Sequence, residues 1–251
     1  MSHTRLRPLV LAVPLVLALA FGARPASAEP LDEANFRLYL NGRALGLEHY
    51  VLDSGADTVT VYAQARLVLP GPVAGDTLVK SMRLVAGSFD MDLRRYESWQ
   101  TFRGQHLNRA LIPHDTAFVV YREVDGRGGA DTFTRPPGRL FVLDGQLFSS
   151  FEVMCRSLHG HPFSERTLHT MVLSAHDTLT DMTAQDRGVD TLRWGNRPVR
   201  VRKLSIGDSN TRYLVWMGPD GHMLRLEQPE SGLRLEREPP VALQTKRRSA
   251  P

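Results

Sequence analysis

A β-hairpin pattern that indicates the architecture of this chain lies in the stretch Phe36-Arg-Leu-Tyr-Leu-Asn-Gly-Arg-Ala-Leu-Gly46. Its first half alternates apolar and other residues with a period of two, which is typical of a strand with one buried face. Asn41-Gly42 then interrupts the alternation, and this dipeptide is a strong signal for a two-residue hairpin turn. The return strand continues the pattern, and we expect one of its faces to carry Leu45, Leu47, His49 and Val51.

The same alternation recurs further along the chain, for example at Phe89, Met91 and Leu93. Near the end, an apolar strand with Trp216 turns at Pro219-Asp220-Gly221 and returns through Leu224 and Leu226. Such strands belong to antiparallel sheets with one buried face. The segment Asp125–Gly138 is rich in Gly, Pro and Asp and predicts a long loop.

One segment has helical spacing instead. Between Asp144 and Gly160 the apolar residues recur at intervals of three and four, and they are Leu147, Phe148, Phe151, Met154, Cys155 and Leu158. We expect Asp144 to cap this helix and Gly160 to end it. Cys155 is the only cysteine, so no internal disulfide is possible, and its place on the apolar stripe indicates a buried structural thiol.

These patterns predict an α+β fold, in which a curved, mostly antiparallel sheet of about ten strands packs its concave face on one helix. The sheet would form an unclosed half-barrel. We expect a secretory signal peptide over residues 1–28, a single β-rich domain over 29–240 and a disordered basic tail over 241–251.

The N-terminus predicts export. Arg5 and Arg7 precede a short apolar run, and Ala26-Ser27-Ala28 supplies a cleavage site for a signal peptidase. We therefore expect a periplasmic or secreted protein that begins at Glu29. Much of the formal net charge of +4 lies on the arginines of the signal, so the mature chain is nearly neutral. This balance does not favour a nucleic-acid partner, and the mature chain contains no second apolar span.

The opening hairpin and the closing stretch Tyr213–Glu227 are similar to those of uncharacterised exported bacterial β-proteins. Those proteins resemble the LolA/LolB-like periplasmic lipoprotein carriers in architecture. In that group an antiparallel sheet curls into an unclosed barrel around helical elements, and acyl chains occupy the space between. The resemblance implies a carrier architecture, and it transfers no functional residue to this chain.

We therefore expect a non-enzymatic envelope protein that binds an apolar ligand, a lipid or an acylated partner, between sheet and helix. The residues expected to line that site are Phe148, Phe151 and Trp216. The chain contains no Gly-x-Ser-x-Gly elbow, phosphate-binding loop or dinucleotide fingerprint, and we expect no cofactor. A structural envelope protein without a small ligand is a further alternative.

The main alternative is enzymatic. Val51-Leu52-Asp53-Ser54-Gly55-Ala56 resembles the Asp-Ser/Thr-Gly-Ala signature of retroviral-type aspartic proteases. The resemblance implies that Asp53 activates water together with a second Asp, which a dimer would supply. The same residues also make a good turn between two strands.

Two groups of polar residues could suggest other chemistry. A histidine group at His159, His161, His169 and His176 lacks a regular metal-ligand spacing, so we interpret these residues as solvated and expect no metal site. Asp90 and Asp92 alternate with apolar residues, and we interpret them as the solvent side of a strand rather than an acid/base pair.

Overall fold

The computed structural model describes residues 30–70 and 75–240. Nearly all of this part of the chain is β-structure. It contains one short helix, α1 at Ser150–Leu158. The strands are β1 Asp32–Leu40, β2 Arg43–Ser54, β3 Thr58–Val68, β4 Thr77–Gly87, β5 Leu93–Phe102, β6 Gln105–Pro113, β7 Ala117–Val124, β8 Arg127–Thr134, β9 Leu140–Asp144, β10 Glu165–Leu173, β11 Thr178–Trp194, β12 Arg197–Gly207, β13 Arg212–Met217, β14 Met223–Gln228 and β15 Leu233–Arg237.

The expected α+β class is wrong. Fifteen strands form one sheet, in the order β8-β7-β6-β5-β4-β3-β2-β1-β15-β14-β13-β12-β11-β10-β9. The sheet is mostly antiparallel and unclosed, with β8 and β9 at its two ends. Because β1 pairs with β15, the first and last strands of the sequence are neighbours in the middle of the sheet.

Helix α1 follows from the parallel pairing of β9 with β10. All neighbouring strands run antiparallel except β9 and β10. Antiparallel strands can be joined by a tight turn, whereas parallel strands need a crossover connection, usually a helix. Residues between β9 and β10 therefore form α1. All five residues of β9 are buried, and β9 lies against β5.

The predicted helix is too long at its start. Asp144 ends β9 rather than capping α1, whose N-cap is Ser149. Eight of the nine helical residues are buried, so the helix is enclosed well beyond its apolar stripe. Cys155 is buried as expected, and burial raises the pKa of its thiol well above the ordinary value.

Both predicted hairpin turns are confirmed. Asn41 and Gly42 have φ of 49° and 79°, the left-handed pair that a type I′ turn requires, and the chain turns again between β13 and β14. The predicted loop at Asp125–Gly138 is wrong, because most of it forms β8, which pairs with β7. In that hairpin the turn is confined to Asp125-Gly126.

The faces of β2 also differ from the simple alternation. A bulge between Leu38 and Tyr39 shifts the register of β1 against β2. A shift of one residue exchanges the two faces of a strand. The buried face of β2 consequently carries Glu48, Tyr50 and Leu52, while Leu47 and His49 face outward.

Two apolar cores lie on opposite faces of the sheet. The main core lies on the face where α1 and β9 pack on inward side chains from both halves of the sheet. A small second core, made of Leu192, Val201, Trp216 and Leu224, lies on the other face of β13 and β14. The outer part of the β11–β12 hairpin covers it, and Trp194 Nε1 donates to the Arg237 carbonyl at 2.9 Å. Within the described ranges no helix is long and apolar enough to cross a membrane.

Candidate functional site

A buried carboxylate from the sheet caps the N-terminus of α1. The backbone N–H groups of Phe148 and Ser149 donate to Glu48 at 2.9 and 2.8 Å, and the Ser149 hydroxyl donates to it too. These N–H groups belong to the N-cap residue and the one before it, so the carboxylate lies at the positive end of the helix dipole. Burial raises the pKa of Glu48, while these hydrogen bonds act to lower it. Glu48 thus anchors the helix to β2.

A second buried cluster is centred on Asp144 at the end of β9. Its carboxylate accepts hydrogen bonds from Lys80 Nζ at 2.5 Å, Tyr96 Oη at 2.7 Å, Ser98 Oγ at 2.8 Å and Arg109 Nη1 at 3.4 Å. All five side chains are buried. Burial lowers the pKa of Lys80, and the adjacent Asp144 opposes this effect. The cluster therefore joins β9 to β4, β5 and β6 through charge.

The third cluster, which we call the Asp32 cluster, comprises Asp32, Tyr50, Glu152, His222 and Arg237. Antiparallel pairing brings three of these residues close together on the neighbouring central strands β1, β2 and β15. Asp32 is the first residue of β1, and it pairs with Leu52 near the end of β2. Arg237 ends β15 and pairs with Phe36 of β1, so it lies nearby. Glu152 enters from the first turn of α1, and His222 precedes β14.

Charge pairing inside the Asp32 cluster is dense. Arg237 donates to the Asp32 carboxylate at 2.5 and 3.0 Å and to Tyr50 Oη at 2.8 Å. His222 Nδ1 lies 2.9 Å from Asp32 Oδ2 and 3.5 Å from Glu152 Oε2. The Met223 N–H donates to Glu152 Oε1 at 3.1 Å. Two carboxylates thus face one guanidinium and one imidazole.

The titration of the cluster follows from these contacts. Burial acts to raise the pKa of Asp32, but hydrogen bonds from His222, Arg237 and Tyr50 hold it well below its usual range. Burial acts to lower the pKa of His222, but Asp32 and Glu152 raise it to about 9. At neutral pH the imidazole is therefore charged, and with Arg237 it faces the ionised Asp32.

Three of these side chains have the ligand atoms of a metal site. Atoms of Asp32, Glu152 and His222 lie within 4.8 Å of one another. Arg237, however, binds both oxygens of Asp32 and lies 3.4 Å from Glu152 Oε1. A cation would have to displace this guanidinium, so the geometry favours an ion-pair network that ties α1 to the sheet.

We predict that replacing His222 by Gln lowers the free energy of unfolding by about 1–3 kcal/mol near pH 6. Because folding raises the His222 pKa, its contribution is complete below about pH 6.5 and is lost as the pH rises through about 9. Urea denaturation at pH 6 and pH 10 should show the difference between parent and variant shrinking with pH. The exposed His114→Gln is the control, and an equal His222→Gln effect at both pH values would contradict the prediction.

The structure separates the three residues predicted to line a ligand site. Phe151 is buried in the main core, where its ring meets Tyr213 edge-on at 5.0 Å between centroids. Phe148 is half-buried beside it at the start of α1. Trp216 lies on the opposite face of the sheet, with Lys203 and Arg225 over its ring and its Nε1 donating to Asp190. The three side chains therefore do not share one site.

Asp53 lies at the end of β2, and the following residues turn into β3. The Gly55 N–H donates to the Thr58 carbonyl at 2.7 Å, which is the turn that the polar residues indicated. We predict that Asp53→Asn leaves the fold and any peptidase activity unchanged, because the residue acts in a turn. Peptidase assays at acidic pH test this. Cleavage by the parent that disappears in the variant would establish the protease alternative.

The histidines and the Asp90/Asp92 pair, the other candidates from the sequence, do not form a common site. His159, His161 and His176 are exposed in connections, whereas His169 lies on β10 with Nδ1 2.6 Å from Asp181. The expected solvent position of Asp92 is wrong, since it is buried and binds Arg135 and the Leu140 N–H. Asp90 instead pairs with Arg94 at 2.5 Å in a turn, because β5 begins only at Leu93.

An apolar groove of about 630 Å³ lies at the C-terminal end of α1, beside the second core. Its apolar lining comes from Val189, Pro198, Val199, Val201, Met217 and Pro219. Val189 is 61% exposed, and the rim carries His159 and the exposed Arg200. Arg202 donates to the Leu158 carbonyl at 3.2 Å and so fixes the helix end next to the groove. Apolar walls with a cationic rim suit an acyl chain with an anionic head.

Comparison with known proteins adds little to this description. No family model matches the chain, and no curated protein matches it. A crystal structure of a DUF1089 family protein from Pseudomonas aeruginosa is similar at 11% identity and a TM-score of 0.43, and the match covers 73% of this chain and 90% of that chain. This similarity does not assign the chain to a family.

Proposed function

We propose that this chain is a non-enzymatic envelope protein that binds the acyl chain of a lipid or an acylated partner. The observation that carries the proposal is the apolar groove at the end of α1. Each buried methylene of a ligand would contribute about 0.8 kcal/mol. Arg200 offers a guanidinium at the rim for a carboxylate or phosphate head group.

The buried charges support binding rather than catalysis. Glu48 is engaged by a helix terminus, Asp144 by two basic side chains, and Asp32 by Arg237 and His222. A catalytic acid or base needs a proton that substrate can reach. These carboxylates instead stabilise the sheet and α1, which leaves the groove as the site for a ligand.

Uptake of dansyl-undecanoic acid, followed by fluorescence, tests the proposal. Val189→Asp introduces a charge into the groove at an exposed position, and we expect at least a tenfold loss of affinity. Val68→Asp, at a residue 50% exposed on β3, is the matched control and should bind as the parent does. Absence of uptake by the parent, or equal affinity of the two variants, would contradict the groove and favour a structural protein.

Envelope location is part of the proposal and has its own test. Residues 1–28 lie outside the described ranges, so the signal peptide stays a prediction from the sequence. We expect mass spectrometry of the exported protein to find Glu29 at the N-terminus. An exported fraction that retains Met1 would contradict cleavage after Ala28.

A further inference from the structure

Two half-exposed aromatic side chains occupy the outer face of β5–β8, away from α1 and from the apolar groove. Trp99 on β5 is 46% exposed and Tyr121 on β7 is 45% exposed. Inward neighbours on β5 are Tyr96 and Ser98, which bind Asp144, so Trp99 points to the other side of the sheet. An exposed apolar patch rimmed by polar residues often marks a binding site, whereas single exposed rings are ordinary.

The strand register arranges this face as two adjacent rows. One row runs Trp99, Asn108, Glu123, Gly128 and the next runs Glu97, Ala110, Tyr121, Ala130. Trp99 and Tyr121 are two strands apart, a separation of about 10 Å across the sheet. The residues between and beside them, Ala110, Gly128 and Ala130, have small side chains. They leave a trough of about 500 Å³ on this face.

Trp99 also borders a second cavity on the same face. This cavity measures about 330 Å³, and its wall includes Tyr62, Ser81 and Arg83. Tyr62 is 44% exposed and lies in the same row as Glu97 and Tyr121, because Tyr62 pairs with Arg83 and Arg83 with Glu97. The aromatic side chains therefore recur from β3 to β7, over about 19 Å.

Polar groups in the trough are already oriented. Asn108 Nδ2 donates to Glu123 Oε1 at 3.2 Å. Glu97 lies 2.8 Å from Arg95 and 3.7 Å from Arg83. These groups keep free lone pairs and N–H donors for a ligand with hydroxyl groups. Arg83 and Arg95 offset the charge of Glu97, and the lining also carries Glu123, so the trough does not favour an anion.

We propose that this face binds a neutral linear oligosaccharide. A pyranose ring has an apolar C–H face that stacks on an aromatic ring, and hydroxyl groups at its rim that bind carboxylates and amides. Trp99 would hold a central sugar between the two cavities, and Tyr62 and Tyr121 would hold sugars on either side. The site is independent of the proposed acyl groove.

Isothermal titration with cellohexaose and chitohexaose tests the inference. We expect at least one of the two to bind the parent, and Trp99→Ala and Tyr121→Ala each to weaken binding at least tenfold. Phe89→Ala removes an aromatic ring that is 99% exposed in the β4–β5 turn, and it is the matched control that should leave binding unchanged. Urea denaturation of each variant checks that the fold is intact.

Two results would overturn the proposal. A neutral glycan site would be excluded if both hexasaccharides fail to bind the parent at millimolar concentration. Binding that is equal in Trp99→Ala and Phe89→Ala, with both variants folded, would place any saccharide elsewhere.

Discussion

Replacing Asp144 by Asn is expected to lower the free energy of unfolding by about 3–5 kcal/mol. The change preserves the shape of the side chain but leaves Lys80 buried without its ion-pair partner, and Arg109 keeps only Asp177, at 3.8 Å. Breaking a buried ion pair from one side costs this much because the remaining charge stays desolvated. Urea denaturation at pH 7 measures the loss.

The pH dependence of this variant identifies the cause. Burial lowers the pKa of Lys80, and loss of Asp144 removes the opposing attraction. A lysine whose folded pKa lies below its unfolded value makes stability rise with pH, since the unfolded state binds more protons. The defect of Asp144→Asn should therefore shrink toward pH 10.

An exposed ion pair supplies the control. Arg212 and Glu230 lie 3.2 Å apart, with about half of each side chain exposed. Glu230→Gln should change stability by less than about 1 kcal/mol at any pH. An Asp144→Asn variant that behaves like Glu230→Gln would show that the Asp144 cluster is not important for stability.

Replacing Phe151 by Ala is expected to cost about 3–5 kcal/mol. Phe151 is 1% exposed and packs against Tyr213 in the main core. Removing its ring leaves a cavity under α1 that the helix cannot close, because Glu48 and Arg202 fix its two ends. Denaturation of the purified variant measures this.

The same variant distinguishes a packed core from a ligand cavity beside the helix. If the ring borders a ligand cavity, its removal should cost clearly less and should lower uptake of dansyl-undecanoic acid. A full stability loss with unchanged uptake would agree with a ligand in the groove near Val189. Tyr62→Ala, at a side chain 44% exposed on β3, is the control for removing an aromatic ring without opening a core cavity.

Local pattern was sufficient for the strands and turns that the sequence marks strongly. Asn41-Gly42 and Pro219-Asp220-Gly221 form the expected turns because their backbone preferences act over two or three residues. The α1 stripe was recognised for the same reason, since Phe151 and Leu158 follow helical spacing. The strand Arg127–Thr134 was missed because Gly and Asp suit both loops and a mostly exposed edge strand.

The period-two alternation could have identified some buried charged residues from the sequence. Arg237 follows Leu233 and Leu235 at a spacing of two, and Lys80 lies between Leu78 and Met82 in the same way. A charged side chain on the core face of a strand implies a buried partner, because an isolated buried charge is costly. The sequence thus indicates that partners exist.

The identity of those partners depends on tertiary structure alone. By itself the sequence determined the alternation of the antiparallel strands, the two turns and the buried stripe of the helix. Each of these features depends on neighbours within a few residues. Only the fold decided that Asp144 meets Lys80 and that Asp32 meets Arg237, 205 residues apart. The antiparallel β1–β15 pairing and the parallel β9–β10 pairing set these contacts. Both join segments that are distant in the sequence, so local periodicity does not record them.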